Sequence, residues 1–83
     1  MKKIYESPLN GWDESAERIY VYAIESDDEY LDIYGMTHKE RCEHFDVEEA
    51  TGYKVAPGAL CTMYDFDISG THVIMRETIA YNV

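Results

Sequence analysis

Apolar and polar residues alternate most clearly in the last third of the chain, on either side of Ser69-Gly70. This period of two predicts a β-hairpin with Ser69 and Gly70 as its two-residue turn, because glycine suits the positive φ of tight hairpin turns. The turn would place Asp67 opposite His72. One face of the predicted hairpin is mainly apolar and carries Leu60, Tyr64, Phe66, Val73, Met75 and Ile79, with Thr62 opposite Glu77 as its polar exception.

Two further strands are predicted in the first third. Residues 18–24 are β-branched and aromatic and are apolar on both faces, which indicates a strand that is central or partly covered by another element. Residues 2–5 predict a short strand that is closed by Pro8 and by a turn at Asn10-Gly11.

The middle of the chain carries three helix-capping signatures, each a Ser, Thr or Asp followed three residues later by Glu. They begin at Ser26, Thr37 and Asp46. The first predicts a short helix that ends at Gly35, although residues 29–34 also fit a strand. The second predicts a helix with Cys42 and Phe45 on its inward side. The third predicts one or two further turns, stopped by Gly52.

The order of strand, strand, helices and hairpin predicts an α+β fold in one small domain spanning residues 1–83. We expect an antiparallel sheet of three or four strands with a C-terminal β-hairpin and two or three short helices inserted in the middle.

One stretch resembles a calcium-binding loop, because Asp65, Asp67, Ser69 and Gly70 match the D-x-D-x-S-G opening of an EF-hand. The twelfth position of that loop requires a bidentate Glu, and Arg76 stands there instead. We therefore interpret the stretch as a hairpin turn and predict no metal site in it.

A second cluster of possible ligands lies in the predicted helix after Thr37. His38 and Cys42 are four residues apart and could share a face, but His44 projects elsewhere and no C-x-x-C pair completes a zinc site. No flanking residue marks Cys42 or Cys61 as an activated nucleophile. We predict no catalytic residues, no metal and no cofactor.

Of the features of the sequence, the net charge says most about the possible binding partners. The chain has 17 acidic and seven basic residues, a net charge of −10, and residues 25–49 hold ten of the acids and only two of the bases. Binding to nucleic acid phosphates requires a basic surface, so direct binding to nucleic acids or to anionic membranes is disfavoured. A basic protein surface would be attracted.

Other sequence features bear on the compartment. No apolar run approaches the roughly 20 residues of a membrane span, and the start of the sequence lacks the apolar segment of a signal peptide. Two cysteines are too few for a disulfide framework, so we expect reduced thiols and a cytoplasmic protein.

The acidic segment also contains tyrosines, which are enriched at interface cores. We therefore predict a partner-binding surface formed by Asp27, Asp28, Glu29, Tyr30, Asp32, Tyr34, Glu40, Glu43, Glu48 and Glu49. The expected function is a small acidic protein-binding module, in its sharper form a nucleic-acid mimic that inhibits a basic nucleic-acid-binding protein.

In size and charge the chain resembles, in type only, the small phage or mobile-element inhibitors of bacterial defence systems, including anti-CRISPR proteins. No motif aligns, so the resemblance transfers no residue. Two alternatives stay open: a structural module that forms a homodimer through a sheet edge or the Tyr20 and Tyr22 face, and a small metal-dependent or catalytic protein.

Overall fold

A computed structural model of the chain describes residues 1–49 and 60–81. The described part contains one antiparallel sheet of five strands and two helices. In chain order the elements are β1 Lys2–Glu6, β2 Asn10–Gly11, β3 Ser15–Ala23, α1 Asp27–Tyr34, α2 His38–His44, β4 Leu60–Ile68 and β5 His72–Tyr81. The predicted α+β arrangement is confirmed, and the sheet has one strand more than the predicted maximum of four. The described helices are too short and too polar to cross a membrane.

The strands lie in the order β1-β3-β5-β4, and β2 also pairs with β3. The predicted central position of residues 18–24 is therefore confirmed. The additional strand arises where we predicted a turn, because Asn10 and Gly11 pair with Glu17 and Ala16 of β3. The chain reverses instead at the next residues, where Trp12 has φ 98° and Asp13 has φ 84°.

Ser7 marks the point where the chain leaves β1 on its way to β2. Its backbone N–H donates to the Ile19 carbonyl at 2.8 Å, and its Oγ accepts from the Ile19 N–H at 2.8 Å. The side chain thus takes the place of a strand carbonyl, which lets Pro8 follow without leaving the Ile19 N–H unpaired.

The C-terminal hairpin forms as predicted, but with another turn. Ile68 pairs with Val73, and the Ser69 N–H donates to the His72 carbonyl at 2.9 Å, so Gly70-Thr71 is the turn. Ser69 Oγ accepts from the backbone N–H groups of Thr71 and His72, which favours this register.

The new register changes the cross-strand partners but not the faces, because the shift is two residues. Asp67 lies opposite Ile74 instead of His72, and Glu77 lies opposite Tyr64 instead of Thr62. The positive φ predicted at the turn glycine is absent at Gly70.

Both predicted helix starts at Ser26 and Thr37 are confirmed. Ser26 Oγ accepts from the Glu29 N–H at 3.2 Å, and Gly35 is the C-cap of α1, so residues 29–34 are helical. A full capping box joins Thr37 and Glu40 at the start of α2.

The helix start predicted at Asp46 is wrong. Asp46 has φ 57°, which is a left-handed conformation that ends a helix, and it directly follows the C-cap of α2. Residues 47–49 are not helical, and Gly52 lies outside the described residues.

Both helices lie on one face of the sheet. Ile33 of α1, Cys42 of α2 and Val73 and Met75 of β5 are buried there. The Phe45 ring lies against two sheet residues, with ring centroids 4.7 Å from Tyr22 and 5.4 Å from Phe66. These aromatic contacts fix the end of α2 against the sheet.

The other face of the sheet, here called the open face, carries the alternate residues of the same strands. No element in the described part of the chain packs on it, and its central residues Ile19, Val21 and Ile74 are half-buried rather than buried.

Candidate protein-interaction surface on the first helix

The outer side of α1 combines two exposed apolar side chains with carboxylates. Leu31 is 63% exposed and Tyr34 is 62% exposed. Asp27, Asp28 and Asp32 are exposed on the same helix. We call these five residues the α1 surface.

Helical periodicity explains why these side chains point outward. Ile33 is fully buried and Tyr30 is half-buried, so they define the inward side of α1. Asp28 and Asp32 are four residues apart and are therefore neighbours on the outside, with their Cβ atoms about 6 Å apart. Acidic residues in the first turn also interact favourably with the positive end of the helix dipole.

The two tyrosines of the predicted site contact each other. The Tyr30 and Tyr34 rings stack with centroids 5.7 Å apart. Because Tyr30 is partly held in the core, it supports the exposed ring of Tyr34 from below. Arg41 of α2 also donates to the carbonyls of Ile33 and Tyr34, at 3.1 and 3.0 Å, and so holds the end of α1 in place.

Glu29 has its partners within the chain. Its Oε2 accepts from the Met1 ammonium group at 2.5 Å, and its Oε1 accepts from the Glu25 backbone N–H at 3.0 Å. The ammonium group, followed by this backbone bond, lowers the pKa of Glu29 below its usual value. Its charge is therefore largely compensated, in contrast to the charges of the α1 surface.

The other predicted acids fall into two groups. Glu40 accepts from the Thr37 backbone N–H at 3.0 Å, which lowers its pKa, and Glu49 lies 3.5 Å from His38 Nδ1. Glu43 and Glu48 are exposed and form no ion pair with another residue among those the structure describes, and the same holds for Asp27, Asp28 and Asp32.

The exposed apolar residue that the sequence did not identify is Leu31. Its position becomes meaningful only once residues 29–34 are known to be helical, because a strand would have placed it on a different side from its neighbours. The signal available in the sequence is its offset from Tyr30 and Ile33, which leaves it outside the inward stripe of a helix.

The structure also locates the candidate ligands around Cys42. Cys42 Sγ lies 3.9 Å from His38 Nδ1, and His38 Nε2 donates to the Tyr64 carbonyl at 2.7 Å. Burial, with a further contribution from Glu49, raises the pKa of the Cys42 thiol. A buried, protonated thiol is a poor nucleophile and a poor metal ligand.

The remaining candidates lie apart from this pair. The His44 ring packs edge-on against Phe45 with centroids 5.1 Å apart. Asp67 lies 3.8 Å from Arg76, the cation that occupies the position of the calcium-binding Glu. Within residues 1–49 and 60–81, no three His, Cys, Asp or Glu side chains are grouped so that they could hold a metal ion.

A polar network that the sequence did not predict lies on the helix-facing side of the sheet. Arg18, Glu77 and Tyr64 are directly opposite one another on three neighbouring strands. The Tyr64 hydroxyl donates to Glu77 Oε2 at 2.9 Å, and Arg18 Nη1 lies 3.8 Å from Glu77 Oε1 and 3.3 Å from the Tyr20 hydroxyl. It could not be predicted because it depends on the observed hairpin register.

This network should make the free energy of unfolding depend on pH in the alkaline range. Burial, followed by the hydrogen bond to Glu77, raises the pKa of Tyr64 from 10.0 to about 12. Between these two pH values the unfolded chain has released the phenolic proton while the folded chain keeps it, so the free energy of unfolding should fall as the pH rises. The contribution is complete below pH 10 and is lost above about pH 12.

The measurement is urea unfolding at several pH values from 9 to 12, roughly spanning the ordinary and the raised pKa. The Tyr64→Phe variant is the matched control and should show a shallower decline over this range. An equal decline in both proteins would show that the phenolic proton of Tyr64 is not the cause.

No protein-family model, no curated protein and no solved structure matches this chain. Function is therefore inferred from the residues themselves. The α1 surface presents exposed apolar side chains beside carboxylates that form no ion pair within residues 1–49 and 60–81.

Proposed function

We propose that this protein is a small acidic binding module that docks the α1 surface onto a basic surface of another protein. The observation that carries this proposal is the exposure of Leu31 and Tyr34 beside Asp27, Asp28 and Asp32. The proposal assigns no catalytic role, metal or cofactor to the chain.

The two kinds of side chain have separate tasks in such a contact. Leu31 and Tyr34 supply apolar area that is removed from water on binding, and aromatic anchors such as Tyr34 carry much of the binding energy at interfaces. The aspartates attract a basic partner and orient it during the encounter, so they mainly affect the association rate and its salt dependence.

The narrower form of the proposal is nucleic-acid mimicry. A basic groove that binds phosphates would accept carboxylates on a rigid helix, and the net charge of −10 favours such a partner at long range. In this form the partner is a nucleic-acid-binding protein, and the chain inhibits it by occupying its binding site.

The test begins with capture of partners from a nuclease-treated bacterial lysate on immobilised protein, elution with rising salt and identification by mass spectrometry. The Kd of the recovered partner is then measured for the wild type, for Leu31→Ala and for an Asp28→Lys/Asp32→Lys double variant. We expect Leu31→Ala to weaken binding by about 30-fold, because burial of a leucine side chain contributes about 2 kcal/mol. The double variant should weaken binding and flatten its salt dependence.

Two control variants match these changes elsewhere on the surface. Ile4→Ala removes an exposed apolar side chain from β1, and Glu14→Lys reverses an exposed charge in the turn before β3. Both should leave the Kd within about twofold, as expected for changes outside a contact. Equal effects of the control and α1 variants would contradict the proposal, and so would the absence of any salt-eluted basic protein.

A competition experiment with nucleic acid tests the proposed mimicry. DNA or RNA that binds the same partner should displace the wild-type protein from it. If the partner binds nucleic acid and this protein at the same time, the proposal of mimicry is wrong, but the proposal that the α1 surface binds the partner is not affected.

A further inference from the structure

A second surface of the molecule differs from the α1 surface in both composition and charge. The open face presents Ile19, Val21 and Ile74 at the centre of the sheet, on strands that are paired on both sides. Tyr5 of β1 and Met63 of β4 extend this apolar area to the two edge strands, where they are exposed. No element within the described ranges covers these side chains.

The charged groups of the open face are largely paired with one another. Arg76 lies at its centre, with Nε 2.8 Å from Glu17 Oε1 and Nη2 3.8 Å from Asp67 Oδ2. With Lys2 and Asp65, the described strands place two cations and three carboxylates on this face, a net charge of −1. Residues 25–49 alone carry −8.

This difference in net charge between the open face and residues 25–49 indicates which kind of partner the open face can bind. Two chains that each carry a net charge of −10 repel one another, and the repulsion is smallest where the facing surfaces are nearly neutral. Anionic lipid is disfavoured by the same net charge. The open face also matches another sheet in shape, because two sheets can stack with their facing side chains interdigitated.

The edges of the sheet are less suited to self-association. β1 has a register irregularity between Lys3 and Tyr5, and bulges and lysines are devices that discourage pairing along an edge. On β4, the outer carbonyl of Tyr64 already accepts from His38 Nε2. The opposite face of the sheet is also less suited to self-association, because the Phe45 ring covers the Tyr22 ring there.

The area is sufficient for a specific contact. Three strands of nine or ten residues and the five-residue β1, about 4.8 Å apart, provide roughly 520 Å² of sheet face per chain. Two such faces bury about 1,040 Å² in total, which just reaches the roughly 1,000 Å² expected of a biological interface.

We propose that the partner of the open face is a second copy of this chain, and that the two sheets stack face to face about 10 Å apart. Ile74 and Val21 lie at the centre of this contact. Because both helices lie on the other side of each sheet, the dimer leaves both α1 surfaces accessible. The inference therefore stands independently of the proposed function.

The experiment is the molar mass in solution, measured by sedimentation equilibrium over a wide range of protein concentration. We expect the mass of two chains at the higher concentrations. Ile74→Lys should raise the dimer dissociation constant at least 30-fold, because it replaces an apolar side chain at the centre of the contact with an ammonium group that must lose its hydration on dimerisation. The control Leu31→Lys introduces the same side chain on the α1 surface and should leave this constant within twofold.

Salt gives a second readout. Raising the salt concentration screens the repulsion between the two acidic chains, so dimerisation should become tighter, whereas binding of a basic partner to the α1 surface should become weaker. The opposite signs distinguish failure of this inference from failure of the proposed function.

Folding of the variants is checked by circular dichroism. If Ile74→Lys does not fold, Met63→Lys replaces it, because Met63 is 46% exposed on an edge strand of the same face and tolerates a charge more easily. Met63→Lys should raise the dissociation constant at least tenfold. The inference is overturned by a wild-type protein that has the mass of one chain at every concentration, or by a dimer that Leu31→Lys dissociates while the open-face variants do not.

Discussion

Replacing Ile33 with alanine should lower the free energy of unfolding by about 3 kcal/mol. Ile33 is fully buried between α1 and the sheet, so the substitution removes three methyl or methylene groups from a packed site and leaves a cavity. A small domain is stable by roughly 5–15 kcal/mol, so this single change removes a large part of the total. Urea unfolding followed by circular dichroism measures it.

Leu31→Ala is the matched control for Ile33→Ala, since both substitutions shorten an aliphatic side chain on α1. Leu31 is exposed, and leucine and alanine both favour helices, so its loss should change the free energy of unfolding by less than about 0.5 kcal/mol. Similar losses in the two variants would mean that α1 does not present its Ile33 side to the core. The control also separates stability from binding, because Leu31→Ala should weaken partner binding without unfolding the chain.

Replacing Gly11 with alanine should also destabilise the fold strongly, by at least about 2 kcal/mol. Gly11 has φ 125°, which side chains rarely adopt, and an added Cβ would lie 2.6 Å from the Ser15 carbonyl oxygen. The contact cannot relax by rotation of a side chain, because the neighbouring atom belongs to the backbone. Trp12 and Asp13 already have positive φ, so the adjacent turn has little freedom to absorb the change.

Gly70→Ala provides the contrast within the same protein. An added Cβ at Gly70 meets no atom within 4 Å, and its φ is not positive. The substitution should be neutral or should stabilise the protein by about 0.5 kcal/mol, because alanine restricts the unfolded chain. Comparison of the two urea midpoints is the measurement. A destabilised Gly70→Ala variant beside an unaffected Gly11→Ala variant would contradict the strained backbone described at Gly11 and the open space described at Gly70.

The sequence was sufficient for the two helix starts, which depend on residues close together in the chain. The caps at Ser26 and Thr37 were predictable because each side chain bonds to a backbone group three residues away. Asp46 shows the limit of this reasoning. It carries the same capping pattern, but its backbone ends α2 in a left-handed conformation instead of starting a helix.

The candidate site was predictable in part. The charge pattern placed Asp27, Asp28 and Asp32 in one segment, and these three remain without an ion pair in the described part of the chain. The charge pattern could not separate them from Glu29 and Glu40, whose partners are the Met1 ammonium group and the Thr37 backbone. The partner of Glu29 is distant in the chain and depends on the fold, whereas the bond of Glu40 to Thr37 belongs to the local capping signature.

By itself the sequence determined the α+β arrangement, the two helix starts, the central position of β3 and the two faces of the C-terminal hairpin. These follow from periodicity and capping, which are local. Only the tertiary structure decided the register of Tyr64 with Glu77, the pairing of Asn10-Gly11 with β3, and the exposure of Leu31. Each depends on contacts between elements, where a shift of two residues leaves the local pattern unchanged but gives every side chain a different neighbour.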